Sequence, residues 1–129
     1  MSPKAIIASL AAAAALVVGS ALPVSADVPT YRHKSDVPAS FSERMKLAAK
    51  YVETPGSTLR ATSGPIQARQ VIIGSNRFMV ISNVGRNSPR AVAEATRRQT
   101  SCYVSQNASF RTIRARGVVP IGYAMPCSG

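Results

Sequence analysis

The chain has 129 residues, with 16 Lys and Arg against 5 Asp and Glu, a formal net charge of +11. That length predicts one small domain plus at most a processed segment, rather than a multidomain enzyme, a large barrel or a polytopic membrane protein. Two Cys and one His exclude a zinc-finger array and an iron–sulfur protein, and a hydrophobic content of 46% argues against global disorder.

Residues 1–26 read as a secretory signal peptide. Lys4 is the only charge before Asp27, and residues 5–18 form an apolar run broken afterwards by Gly19, Ser20 and Pro23. The stretch ends Val24-Ser25-Ala26, a small-x-small site that predicts cleavage after Ala26. The run falls short of the roughly 20 apolar residues a spanning helix needs, and no Cys lies near the site to make a lipoprotein. The expected product is exported, to the periplasm or beyond, with no transmembrane segment. Export places Cys102 and Cys127, the only thiols, in an oxidising compartment. They are expected to form a disulfide across a loop of about 25 residues, worth about 3 kcal/mol in loop-closure entropy. A catalytic Cys is the sharper reading and the less favoured one.

Residues 27–39 hold Pro29 and Pro38 and show no period, which predicts a flexible N-terminal arm ahead of a single domain at 40–129. Ser40-Phe41-Ser42-Glu43 is a capping box that opens a helix. Phe41, Met45, Ala48, Ala49 and Val52 give it one apolar face, and Thr54-Pro55-Gly56 stops it. Residues 57–64 read as a polar link. Residues 65–73 and 78–81 read as a β-hairpin around Gly74-Ser75-Asn76. Ser88 and Pro89 open a second helix as N-cap and first helical residue, with Ala91, Val92 and Ala95 inward. Residues 102–104 and 111–116 read as strands about a turn at 107–109, and 117–127 as an edge or irregular strand. The order predicts an α+β fold, with two helices packed on one face of a small antiparallel sheet of four or five strands.

No constellation of catalytic groups stands out. Asp27, Asp36, Glu43, Glu53 and Glu94 form no pair suited to acid–base work and no cluster for a metal, so no cofactor is expected. Nucleophile-elbow, dinucleotide and phosphate-loop motifs are absent. His33 stands among Tyr31, Arg32 and Lys34, whose charges suit a general base near neutral pH. A solvated His on an arm is the plainer reading of it.

Arginine is the feature above background, with Arg86, Arg90, Arg97, Arg98, Arg111, Arg114 and Arg116 concentrated after residue 85. Guanidinium suits two-pronged contact with carboxylate or phosphate. In a strand, Arg114 and Arg116 share a face, leaving Ile113 and Ala115 for the core. The expected function is an exported small basic binding module. It holds an anionic partner (an acidic protein, a lipid headgroup or a polysaccharide) through these arginines. Tyr103 and Phe110 are too few for a base-stacking platform, so an acidic protein or envelope component is favoured over nucleic acid. One alternative is a small metal-independent ribonuclease with His33 as base and Arg114 or Arg116 steadying the phosphate. Another is an accessory or inhibitor subunit of an envelope complex that presents the stapled region 103–126.

Overall fold

A computed structural model describes residues 28–115 and 119–128. The expected signal peptide and Arg116 lie outside the described residues. Strand β1 is Thr30–Tyr31, followed by a single 3-10 turn at Lys34–Asp36. Helix α1 is Phe41–Ala49 and continues as a 3-10 turn, Lys50–Glu53. Then come β2 (Ser57–Ala61), β3 (Gly64–Ile73), β4 (Asn76–Ser82), α2 (Pro89–Gln99), β5 (Arg111–Arg114) and β6 (Pro120–Pro126). The strands form one sheet in the order β1-β3-β4-β6-β5, with β2 also on β3.

Local chemistry sets the helix ends. Ser40 Oγ accepts from the Glu43 amide at 3.1 Å, and Ser88 Oγ accepts from the Ala91 amide at 3.1 Å. Each satisfies one of the free donors of a first helical turn. Only the serine half of the predicted capping box forms. Gly74, with φ 61°, makes the two-residue connection between Ile73 and Asn76, the paired ends of β3 and β4.

The two helices cover opposite faces of the sheet. Met45, Ala48, Ala49 and Val52 pack with Val71, Ile73, Phe78, Val80 and Ala124. Val92, Ala93 and Ala95 of α2 pack with Ile66, Ala68, Met79, Ile81, Tyr123 and Met125 on the other side, joined by Cys102 and Val104. This corrects the expectation of both helices on one face. The reason is visible in β4 and β6. Phe78, Met79, Val80 and Ile81 are all buried, as are Gly122, Tyr123, Ala124 and Met125. A strand covered on both faces carries a continuous apolar run rather than an alternating one.

The sheet is also larger than expected, and mixed. Residues 57–61, read as a link, pair antiparallel with β3, and β1 pairs with β3 in parallel through Thr30–Ile72 and Tyr31–Ile73. Strand β2 is an edge that buries only Leu59, so it carries little apolar signal. Its open side is occupied by one side chain. The Arg60 amide donates to Gln99 Oε1 at 2.9 Å, and Gln99 Nε2 donates to the Arg60 carbonyl at 2.7 Å. The Gln99 amide thus stands where a further strand would pair. At the other end of the sheet, residues 102–104 make a single bridge, Tyr103 to Ser128, instead of a strand.

The N-terminal segment is tied to the sheet and to α1. The Ile72 amide donates to the Pro29 carbonyl, and the Gly74 amide to the Tyr31 carbonyl. Arg44 donates to the Pro38 carbonyl at 2.7 Å and to Asn76 Oδ1 at 2.8 Å. The Tyr31 and Tyr51 hydroxyls lie 2.5 Å apart. That hydrogen bond, with burial and the nearby Tyr51 and Asp36 charges adding to it, pushes the Tyr31 phenol from 10.0 up to about 12. A raised phenol pKa means that the neutral form is favoured in the fold. Its stabilisation is full below pH 10.0 and is lost as pH climbs through about 12. Urea unfolding followed across this window is expected to show falling stability, and Tyr31→Phe is expected to flatten the fall. An equal slope in the variant would remove the pair from the account.

Candidate anion-binding site

Helix α2 turns Val92, Ala93, Ala95 and Thr96 into the core and leaves Arg90, Glu94 and Arg98 exposed, with Arg97 half-buried. Its last turn carries Arg97 and Arg98, where the helix dipole favours cations. Thr100 Oγ1 donates to the Thr96 carbonyl and accepts from the Cys102 amide, which turns the chain out of the helix. Cys102 and Cys127 form the expected disulfide. The bond returns residues 102–110 to the sheet beside the end of β6.

The returning loop is held along α2. Arg97 Nη1 donates to the Val104 carbonyl at 2.9 Å, and the Ser128 amide donates to the Tyr103 carbonyl at 2.7 Å. The Ala108 amide closes a turn on the Ser105 carbonyl at 3.0 Å. Phe110 lies against Tyr123 with ring centroids 6.4 Å apart. Between helix and loop lies a groove of about 550 Å³. Arg90, Glu94 and Arg97 form one wall, Ser105, Gln106 and Asn107 the other, with apolar surface from Phe110, Ala93 and Ala108.

The structure gathers only part of the predicted arginine set. Arg90 and Arg97 line the groove. Arg98 is exposed on the same helix, and Arg86 is exposed in the connection that precedes it. Arg111 is elsewhere. It pairs in register with Ala124, whose side chain faces α1, so Arg111 lies on the α1 face. Ile113 packs toward the α1 side as expected, but a register shift between Ile113 and Arg114 interrupts the alternation that would have continued past Arg114. The described arginines of the set therefore do not share one surface: Arg90 and Arg97 line the groove, and Arg111 lies on the α1 face.

His33 is exposed, caps the 3-10 turn and shares its Nδ1 with Ser35, 2.7 Å from Oγ. It follows β1, at one edge of the sheet, whereas Arg114 is on β5 at the other. Four strand spacings separate those edges, roughly 19 Å. His33 and Arg114 are therefore not brought together; Arg116, the other arginine named for the ribonuclease reading, lies outside the described residues.

A second cavity, of about 670 Å³, lies by Val52, Glu53, Gln67 and Asn83. Glu53 is its only charged lining residue among the described ones, so it offers an anion no opposite charge. Among the described residues no three His, Cys, Asp or Glu side chains come together as metal ligands, and no helix is long and apolar enough to cross a membrane. Comparison with protein-family models, with curated proteins and with solved structures finds no match to this chain.

The sequence named the basic wall of the groove and missed the polar one. Ser105, Gln106 and Asn107 read as an ordinary turn. They become a wall because the disulfide and the Arg97–Val104 and Ser128–Tyr103 hydrogen bonds hold that turn beside α2.

Proposed function

We propose that this chain is an exported binding module that holds an acidic partner protein in the groove beside α2. The observation that carries this is the pair Arg90 and Arg97 on one wall, opposite the hydroxyl and amide groups of Ser105, Gln106 and Asn107. Arg97 is already fixed by the Val104 carbonyl, so little freedom is lost when its remaining donors meet a carboxylate. Arg90 makes no hydrogen bond or ion pair to any described residue, which leaves its whole donor fork for a ligand. The disulfide supports the exported setting, since such bonds persist in oxidising compartments.

Nucleic acid is the weaker candidate on two counts. Glu94 sits between the two arginines, and a strand of phosphates would meet it directly. Phe110 is the one aromatic side chain in the groove, too little for stacking successive bases.

The test is binding of polyglutamate by the full-length chain at low and at physiological salt. Affinity is expected to fall with salt, because exposed charge pairs are screened. Arg90→Glu is expected to weaken it about tenfold, and Arg111→Glu, on the other face, about twofold or less. Affinity that ignores both salt and Arg90→Glu would refute the proposal.

A further inference from the structure

We infer that the groove recognises an extended peptide segment whose charged side chains run acid, base, acid. The inference rests on the reading of the groove as an acidic-protein site and adds the order of charges that the site selects. Arg90, Glu94 and Arg97 are spaced by four and three residues, so they stand in one row on α2. At 1.5 Å per residue the row is about 6 Å from Arg90 to Glu94 and about 4.5 Å on to Arg97. Side chains on one face of an extended strand recur about every 6.8 Å. Three of them cover about 13.6 Å against about 10.5 Å on the helix, a mismatch that long Arg and Glu side chains absorb.

The alternation is the informative part. Neither Arg90 nor Glu94 pairs with any described residue, although they are four apart on the same helix. Glu94 also leaves Arg98 without a partner, in the order that favours pairing. The fold therefore presents plus, minus and plus in a row, with Arg90 and Glu94 unpaired among the described residues and Arg97 committing one donor to the Val104 carbonyl. A site that only collected negative charge would gain nothing from Glu94. A site that sets register, and binds partners of uniform charge less tightly than alternating ones, needs a central charge of opposite sign. The polar wall completes the fit. Ser105, Gln106 and Asn107 offer donors and acceptors to the backbone of an extended segment, and Phe110 offers apolar surface to an intervening side chain.

The experiment compares two labelled peptides of equal length, titrated with the full-length chain at low salt. One has Asp, Lys and Asp at alternate positions, and the other has Asp at all three. The mixed peptide is expected to bind about fivefold more tightly despite its smaller net charge. Glu94→Lys is expected to reverse that ranking by a similar factor, and this exposed substitution leaves the core untouched. Ranking by net charge alone in the unmodified protein would overturn the inference and leave the acidic-partner reading standing. Displacement of the mixed peptide by a single-stranded oligonucleotide at equal concentration would also overturn it, in favour of a nucleic-acid site. Failure of both peptides to bind, with Arg90→Glu also without effect, would overturn the two readings together.

Discussion

Replacing Cys102 and Cys127 together by Ala is expected to destabilise the protein by about 3 kcal/mol. The bond spans a sequence separation of 25, and the unfolded chain regains the freedom of that loop when it is cut. For a domain near 100 residues the loss lowers Tm by about 15 °C, and it removes a large share of a total stability on the order of 5–15 kcal/mol. Cys102 is fully buried in the α2-side core, so truncation adds a small packing loss to the entropic one. Urea unfolding of the variant, and of the unmodified protein under reductant, should both show a lowered midpoint, slightly lower in the variant because of the packing loss. Equal midpoints with and without the bond would show that the loop is held by its other contacts alone.

The same substitution links stability to the proposed function. Apart from the disulfide, the groove-forming loop is held by few polar contacts, chiefly Arg97 to Val104 and Tyr103 to Ser128. These are single hydrogen bonds, each worth about 1 kcal/mol net. In the reduced protein the loop is expected to open before the sheet does, since local opening follows the least-tethered segment. Peptide binding should therefore be lost at a lower urea concentration than the far-ultraviolet signal of the sheet.

The elements legible in the sequence were those with their own punctuation. Ser40 and the pair Ser88-Pro89 mark helix starts by chemistry that acts within one turn. Gly74 marks the hairpin because its backbone lies at φ 61°. The disulfide was legible from the residue count and the expected compartment. Strand β2 was not, because an edge strand with one inward residue, Leu59, has no pattern to show. Strand β1 is two residues long and pairs with a segment some forty residues away, a purely tertiary event. The placement of the helices was written in Phe78-Met79-Val80-Ile81. A run of four apolar residues in a strand demands cover on both faces, a signal that goes beyond strand character. For the site, composition pointed to arginine, but geometry divided the set. Arg90 and Arg97 meet in the groove, whereas Arg111 is carried to the other face by its register with Ala124.

Gly122→Ala is expected to cost about 2–4 kcal/mol, the opposite of what local propensity suggests. Glycine weakens a strand interior, and alanine at most such positions is neutral or better. Here β6 lies between β4 and β5, and a Cβ on Gly122 would collide with the Ile81 carbonyl oxygen and with Val52 Cγ2. One of these is sheet backbone, and the other belongs to the turn that continues α1. Neither is the free end of a flexible side chain, and Ile81 is fully buried. The missing side chain is thus what lets the end of α1 settle onto the sheet. Val52→Ala added to Gly122→Ala is expected to recover part of the loss, because it removes one of the two collisions. A double-mutant cycle should give a favourable coupling of about 1 kcal/mol. The groove beside α2 lies across the sheet from this contact, so peptide affinity per folded molecule should be unchanged in Gly122→Ala. A Gly122→Ala protein within about 0.5 kcal/mol of the original would mean that neither the β4 backbone nor the end of α1 lies as close to Gly122 as this packing requires.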